Sequence, residues 1–309
     1  MEIQIVKFFQ SLANGFNDVF FWLITKMGEE TFFILMLGIV YLCYSDKFAI
    51  KLTFYYLASV AFNNIIKLIC KRPRPYLASS EVADRLHAGG YSFPSGHTQG
   101  YFVLATTNML EINKTSKRRI FKITMLIVLS VLGVLVMVSR MYWGQHYLTD
   151  VVVGMIFGIA VPFFLDFLFG LMPSKIKKFF SVDMLYNIIA VCSVVVAVVA
   201  ICLQFFAGKS IELLYKFSAV FIALAVGYFV NKKKIKYMSN QGFKVGILKA
   251  LIMLVIVGGL YALLNLIFDI NGVILFVVYL FLGAICTIIL PILFKLIFKK
   301  GYENEQSNN

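Results

Sequence analysis

The chain has 309 residues, of which 61% are hydrophobic and only 14% are charged, with a mean hydropathy of +0.86. Soluble domains average about 45–50% apolar and about 25% charged residues, so this composition excludes an ordinary soluble protein. The net charge of +14 would suggest a nucleic-acid partner in a soluble chain. In a membrane protein, the positions of the basic residues instead indicate how the chain is oriented in the membrane. We therefore expect no nucleic-acid binding.

The N-terminal residues 3–20 carry apolar side chains at helical spacing, opposite a polar face. This stripe predicts an N-terminal amphipathic helix that lies in the membrane interface or packs on the spans as a surface helix. Its apolar residues are Ile5, Phe8, Phe9, Leu12, Phe16, Val19 and Phe20.

Long apolar runs follow along the rest of the chain. A helix needs about 20 apolar residues to cross the hydrocarbon core, and runs of that kind predict nine spans. The expected fold is therefore an all-α polytopic transmembrane helix bundle. The predicted spans are 31–44, 49–70, 95–112, 120–140, 149–172, 185–206, 213–230, 245–268 and 273–298.

Basic residues are concentrated in alternate connections between these spans. By the positive-inside rule these connections and the C-terminus are cytoplasmic, so the N-terminus and segments 71–94 and 141–148 lie on the opposite face. The lysine-, isoleucine- and asparagine-rich composition favours a bacterial plasma membrane. The 18 marker residues are Lys47, Lys51, Lys114, Lys117, Arg118, Arg119, Lys122, Lys175, Lys177, Lys178, Lys232, Lys233, Lys234, Lys236, Lys244, Lys295, Lys299 and Lys300.

Three polar patches interrupt the apolar pattern at the outer ends of spans two to five. Segments that are distant in sequence are thereby predicted to meet on one membrane face. The patches are Lys-Leu-Ile-Cys-Lys-Arg-Pro-Arg-Pro over 67–75, Pro-Ser-Gly-His over 94–97, and Ser139-Arg140 followed by His146 and Asp150.

The cationic residues of these patches fit an oxyanion. Lys67, Arg74 and Arg140 supply charge-assisted donors, and the guanidinium groups can bind such a ligand through two hydrogen bonds. Ser95 and Gly96 open the third span, where backbone N–H groups and the helix dipole favour an anion. Together they predict a phosphate-binding site.

The two histidines of the patches supply the bond-making groups. His146 and Asp150 are four residues apart at the start of a helix and share a face. A carboxylate bonded to Nδ1 leaves Nε2 free to attack phosphorus, and His97 is placed to protonate the leaving oxygen. No carboxylate cluster accompanies them, so we expect no metal and no cofactor.

The three patches match K-x6-R-P, P-S-G-H and S-R-x5-H-x3-D without a gap. In this the chain resembles the type 2 phosphatidic acid phosphatase superfamily, the lipid phosphate phosphatases. Its nine-span layout with an outer N-terminus is similar to the glucose-6-phosphatase branch. The resemblance implies a phosphorylated lipid substrate, with undecaprenyl diphosphate, phosphatidylglycerol phosphate, phosphatidic acid and sphingoid-base phosphates as candidates.

The resemblance also implies a role for each matching residue. His146 would form a phosphohistidine, Asp150 would orient it, and His97 would serve as acid and then as base. The oxygen-binding residues would be Lys67, Arg74, Ser95, Gly96 and Arg140.

The resemblance further divides the chain. Residues 1–29 would be the interfacial segment, 30–206 a phosphatase core of six spans, 207–300 three additional spans of unknown role, and 301–309 a polar cytoplasmic tail. All candidate chemical residues precede residue 151, which agrees with this division.

Two other functions stay open. A phosphotransferase or sugar-phosphate phosphatase would use the same site with another acceptor or donor. A lipid-phosphate binding or transport protein would keep the phosphate site and use the three surplus spans, but it would not require the two histidines with Asp150.

Other polar residues have plainer interpretations. Asn63 and Asn64 are expected to form interhelical hydrogen bonds, with orientation of the Lys67 ammonium or of a site water as the alternative. Asp166 and Glu111 are expected to pair with basic connections rather than to relay protons. Arg72 and Arg85 either attract a phosphorylated headgroup or are ordinary surface charges, and His87 is interpreted as a solvated loop residue.

Overall fold

The structure is a computed structural model that describes residues 1–86, 88–207, 211–268 and 270–298. It is 82% helical, and these residues contain no strand, which confirms the all-helical prediction. The predicted tail 301–309, together with His87, Lys299 and Lys300, lies outside the described residues.

Fourteen α-helices and two π-helical turns follow one another within the described ranges. The first half of the chain forms α1 Glu2–Ser11, α2 Gly15–Lys26, α3 Glu30–Cys43, α4 Asp46–Cys70, α5 Pro75–Ala78, α6 Gly96–Thr115, α7 Arg119–Tyr142 and α8 Leu148–Leu171. The second half forms α9 Ser174–Phe179, α10 Val182–Ala207, α11 Glu212–Val230, a π-helical turn Asn231–Ile235, α12 Phe243–Ile267, α13 Gly272–Ala284, a π-helical turn Ile285–Ile289 and α14 Leu290–Ile297.

Seven helical segments in the described part are long and apolar enough to cross a membrane, judged by length and composition. The other two predicted spans correspond to α3, which has only 14 residues, and to α6. Helix α6 has 20 residues but contains polar side chains such as Gln99 and Thr107, and polar residues lower the mean hydropathy of a helix. The count of nine spans stays a prediction.

The chain forms two compact units. Unit 1 comprises Met1–Phe33 and Leu52–Met172, and unit 2 comprises Ile34–Lys51 with the described residues from Pro173 onward. All predicted chemical residues lie in unit 1. The predicted boundaries at 29, 206 and 300 stay predictions.

In unit 1, two glycines let α8 approach α6 closely. A Cβ on Gly154 would lie 2.8 Å from the carbonyl oxygen of Ser95, and one on Gly158 would lie 2.7 Å from that of Gln99. Small residues four apart on one helix face permit such backbone contact in membrane bundles. The close approach brings the first turns of both helices together, and the Ser95 N–H donates to the Asp150 carbonyl at 3.0 Å.

The N-terminal stripe forms two helices, so the prediction of one continuous helix is wrong. The chain breaks because Asn14 adopts an extended conformation and its side chain accepts a hydrogen bond from Asn17 N–H, which caps α2. Both helices pack in unit 1: Phe9 and Phe21 contact the cluster of Tyr142 and Trp143. The exposed apolar residues of the stripe are Phe8, Leu12, Phe16, Val19 and Phe20.

Unit 2 is built on α10, α11, α13 and their neighbours. The rings of Tyr186 and Tyr228 stack at 3.9 Å. The Thr287 hydroxyl donates to the Ala223 carbonyl at 2.9 Å. Thr287 also packs closely on Gly227, because a Cβ at Gly227 would collide with the Thr287 side chain. Helix α12 buries Lys249 completely.

Candidate active site

The three sequence patches meet at helix ends within unit 1. Lys67 lies in the last turn of α4, and Arg74 precedes α5 directly. Ser95 is the N-cap of α6, Arg140 lies in the last turn of α7, and Asp150 lies in the first turn of α8. His146 lies in the connection between α7 and α8.

His146 and Asp150 face one another with almost no exposure to solvent. His146 is 2% exposed and Asp150 is fully buried, and Nδ1 of His146 lies 3.5 Å from Oδ2 of Asp150. The same Oδ2 accepts hydrogen bonds from the Tyr147 N–H at 2.9 Å and from the Ser92 hydroxyl. The Ser92 Oγ lies 3.4 Å from Nδ1 of His146, so Ser92 touches both members of the pair.

Arg74 contacts the opposite side of the His146 ring. Its Nη1 lies 3.4 Å from Nε2 of His146 and donates to the Gln145 carbonyl at 3.1 Å. The rest of the guanidinium donates to the carbonyls of Gly89 at 2.7 Å and Gly90 at 3.1 Å. Because arginine only donates, a hydrogen bond in this contact requires Nε2 as the acceptor and the ring proton on Nδ1. The lone pair of Nε2 then faces the Arg74 guanidinium.

The charge environment of His146 keeps its imidazole neutral. Burial lowers the pKa of His146 well below its usual value, and the nearby positive charges of Arg140, Arg74 and Lys67 lower it further. A neutral imidazole with its lone pair on Nε2 is the form that can attack an electrophile.

Arg140 is buried, and one of its hydrogen-bond donors has no partner among the described residues. The side chain is 2% exposed, and one guanidinium nitrogen donates to the Thr25 hydroxyl at 2.6 Å. Its Nε is buried and has no hydrogen-bond partner among the described residues. Leaving a buried charged donor unpaired costs free energy, so this group fits an anionic ligand.

Ser95, Gly96 and His97 begin α6 as predicted. The Ser95 side chain caps the helix by accepting from the Thr98 N–H at 3.4 Å. His97 packs against the connection between α2 and α3, where a Cβ on Gly28 would lie 2.8 Å from the Cβ of His97. Lys67 donates to the carbonyl of Tyr91 at 2.6 Å, in the segment that leads into α6.

The structure also adds groups that the sequence analysis missed or left open. Ser92 and Thr25 were not singled out, because each contacts the site through a partner far away in sequence. Arg72 forms an ion pair with Asp150 at 2.9 Å, and Arg85 pairs with Asp18 at 2.8 Å. Asp150 accepts from the N–H of the N-cap residue Tyr147 at 2.9 Å, but tyrosine is not a residue type that predicts an N-cap from the sequence.

The structural interpretations of two other residues are confirmed. Asn63 on α4 donates to the Gln99 side chain on α6 at 2.7 Å, an interhelical hydrogen bond. Asp166 lies 3.4 Å from Lys114, a residue of the predicted basic connection that the structure places in the last turn of α6. Residues in the described part include no group of three or more His, Cys, Asp or Glu side chains suited to hold a metal ion.

A comparison with protein families gives a match over the part of the chain that holds the three sequence patches. Residues 48–166 match the family model described as PAP2 superfamily. This range contains every residue of the three sequence patches.

Comparisons with individual proteins agree with the family match. A probable sphingosine-1-phosphate phosphatase of Dictyostelium discoideum is 29% identical over 166 residues, covering 52% of this chain and 40% of that protein. Phosphatidylglycerophosphatase B of Bacillus subtilis (strain 168) is 34% identical over 121 residues, covering 38% of this chain and 54% of that protein. The chain thus spans about half the length of these relatives.

Among solved structures, a transmembrane PAP2-type phosphatidylglycerolphosphate phosphatase from Bacillus subtilis is similar. It aligns with a TM-score of 0.48 at 22% identity, covering 56% of this chain and 86% of that one.

Proposed function

Because residues 48–166 are a PAP2 superfamily domain, we propose that this chain is a membrane phosphatase that removes the terminal phosphate from a lipid phosphate or diphosphate. The observation that carries the proposal is the buried His146–Asp150 pair facing Arg74, with Arg140 and Lys67 close enough to lower the pKa of His146. One nucleophile, its orienting carboxylate and several cations are what phosphoryl transfer without a metal requires.

The first step transfers the phosphoryl group to His146. Its Nε2 attacks phosphorus, the bond from phosphorus to the leaving oxygen breaks, and His97 protonates that oxygen. Asp150 accepts from the Nδ1–H and stabilises the positive charge that develops on the ring. Arg74 lies 3.4 Å from the attacking nitrogen and is placed to bind the oxygens of the transferred group.

The second step releases phosphate. His97, now neutral, takes a proton from water, and the resulting oxygen attacks phosphorus and breaks the bond to Nε2. The roles of Lys67, Ser95, Gly96 and Arg140 are to hold the phosphoryl oxygens during both steps. The buried Nε of Arg140, which has no partner in the described residues, supports this role.

The orientation and the location are part of the proposal. The basic connections favour a site on the non-cytoplasmic face of a bacterial plasma membrane. Substrates with a long lipid tail suit a site formed at the ends of membrane helices. The names of the relatives favour sphingoid-base phosphate and phosphatidylglycerol phosphate as the first substrates to test.

Phosphate release by the purified protein in detergent tests this function. The panel comprises undecaprenyl diphosphate, phosphatidylglycerol phosphate, phosphatidic acid, a sphingoid-base phosphate and glucose 6-phosphate, each with and without EDTA. We expect release from at least one lipid, unchanged by EDTA and abolished in His146→Ala. Release from glucose 6-phosphate alone would favour the sugar-phosphate alternative, and tight lipid binding without release would favour a binding or transport protein.

A further inference from the structure

The N-terminal helix reaches the start of α8 through Glu2. Its Oε1 accepts hydrogen bonds from the Thr149 N–H at 3.1 Å and from the Thr149 hydroxyl at 2.7 Å. The first N–H groups of a helix have no partner within the helix, and a negative charge there is favourable. Glu2 therefore caps α8 although it lies far away in sequence. The residue that it contacts, Thr149, directly precedes Asp150.

Arg72 joins Glu2 to the site. Its Nη2 donates to Oε2 of Glu2, while its Nη1 donates to the Thr149 hydroxyl at 2.6 Å and to Oδ1 of Asp150 at 2.9 Å. The guanidinium lies over the Tyr147 ring at 3.8 Å. Hydrogen bonds in two directions and a ring contact hold this cation in one orientation.

The orientation of the Arg72 guanidinium determines which groups bind each oxygen of the Asp150 carboxylate. Arg72 takes Oδ1, so Oδ2 is left for Ser92, Tyr147 and His146. Without Glu2, the Nη2 of Arg72 would lose its anionic partner. Because a guanidinium binds a carboxylate through two parallel hydrogen bonds when it can, Arg72 would then draw both oxygens of Asp150 away from His146.

We infer that Glu2 is a positioning residue for the His146–Asp150 pair, acting through Arg72 and the first turn of α8. The inference rests on the proposed function for its kinetic consequence. Its geometric part, that Glu2 sets the orientation of His146, can be measured separately.

The same helix offers a matched control. Lys7 of α1 forms an exposed ion pair with Glu81 at 2.8 Å, in the segment between α5 and α6. This contact helps to attach α1 to unit 1 but involves no residue of the site. If Glu2 only helped α1 to dock, removing the Lys7 pair should have a similar effect.

The kinetic test compares Glu2→Ala, Glu2→Gln and Lys7→Gln with the unchanged chain, all tagged at the C-terminus. We expect Glu2→Ala to lower kcat about tenfold, in the range found for residues that orient a ligand through a hydrogen bond, with KM changed less than twofold. Glu2→Gln keeps an acceptor for Thr149 but loses the charge opposite Arg72, so its loss is smaller. Lys7→Gln stays within twofold of the unchanged chain. Equal losses in Glu2→Ala and Lys7→Gln, or no loss in Glu2→Ala, would overturn the inference.

Nitrogen NMR of ¹⁵N-histidine-labelled protein supplies a readout that does not need activity. The chain has three histidines, and His146→Ala identifies the signal of interest. We expect the Nδ1–H signal of His146 to show a hydrogen bond to Asp150 in the unchanged chain and in Lys7→Gln, and a weaker one in Glu2→Ala. An unchanged Nδ1–H signal in Glu2→Ala contradicts the inference. An unchanged chain that cleaves no phosphate ester contradicts the proposed function instead and leaves this second measurement valid.

Discussion

Arg140 of unit 1 and Lys249 of unit 2 are both buried cations, and their hydrogen-bond donors are satisfied differently. In unit 1, Arg140 donates to Thr25 but keeps a buried Nε without a partner among the described residues. In unit 2, the Lys249 ammonium donates to the Ser239 carbonyl at 3.0 Å and to the Met238 carbonyl at 3.4 Å. It also lies over the ring of Tyr237 at 4.7 Å.

We interpret this difference as separating a proposed ligand-binding cation, Arg140, from a structural one, Lys249. The charge of Lys249 is stabilised by backbone carbonyl groups and aromatic ring faces. Its hydrogen bonds hold the segment that follows the π-helical turn Asn231–Ile235. Arg140 has a donor that the described residues of unit 1 do not use, and its positive charge acts on the buried His146. Burial of charge is common to both, so the unsatisfied donor, rather than burial, points to the site.

Replacement of these two cations should give the largest contrast. We expect Arg140→Ala to lower kcat/KM by about 10²–10³-fold, the usual cost of removing one donor to a developing oxyanion, and Lys249→Met to keep kcat/KM within twofold. Arg140→Lys should recover part of the loss, because it restores the charge but not the planar fork. Steady-state phosphate release on the best lipid substrate measures all three. Equal losses in Arg140→Ala and Lys249→Met would remove the distinction between the two cations.

Ser92→Ala should have an intermediate effect. The hydroxyl bonds to Asp150 and lies beside Nδ1 of His146, so its loss should lower kcat about tenfold while KM changes little. Ser218 of unit 2 is the control, since its hydroxyl is also buried and, in the part of the chain that the structure describes, bonds within its own helix to the carbonyls of Leu214 and Tyr215. A full kcat in Ser92→Ala would show that Asp150 needs no support from this hydroxyl.

The pH dependence of the His146 imidazole should differ from that of an ordinary histidine. Since burial and nearby cations lower the pKa of His146, the ring stays neutral as the pH falls to about 6.5, the usual histidine value. The ¹⁵N signals of His146 should therefore remain those of a neutral imidazole between pH 7.5 and 6.5 and change only at lower pH. A protonation midpoint at or above 6.5 would contradict the lowered pKa.

The smallest effect on activity, and a clear effect on stability, is expected for Lys249→Met. Two carbonyl groups lose their charged donor, at a cost of about 1–3 kcal/mol. Thermal unfolding in detergent should therefore occur at a lower temperature than in the unchanged chain. An unchanged Tm together with a lower kcat would mean that Lys249 serves the reaction.

The part of the site that local spacing determines could be predicted from the sequence. His146 and Asp150 share a helix-start geometry because they are four residues apart, and Ser95 caps α6 because a polar side chain precedes a long run. The position of Lys67 and Arg140 on the same membrane face could be predicted, because successive spans cross the membrane in opposite directions.

Contacts that depend on tertiary packing could not be predicted in this way. Ser92 and Thr25 reach the site across 58 and 115 positions of the chain, respectively, through their bonds to Asp150 and Arg140. The N-terminal break was missed because apolar periodicity continues through it, while the local hydrogen bond of Asn14 ends the helix. Glu2 sits outside the stripe altogether, and only the structure connects it with Arg72.

The central claim is a phosphoryl group carried by His146. Acid-labile phosphate bound to the protein should be measured within milliseconds of mixing a terminally ³²P-labelled lipid with the enzyme in EDTA, followed by rapid alkaline denaturation, which preserves phosphohistidine. We predict that label on His146 forms and decays as fast as the enzyme turns over. The amount of label should increase in His97→Ala if hydrolysis slows more than transfer. Label should be absent in His146→Ala. Full turnover with no label on the protein, or label that persists in His146→Ala, would contradict the account.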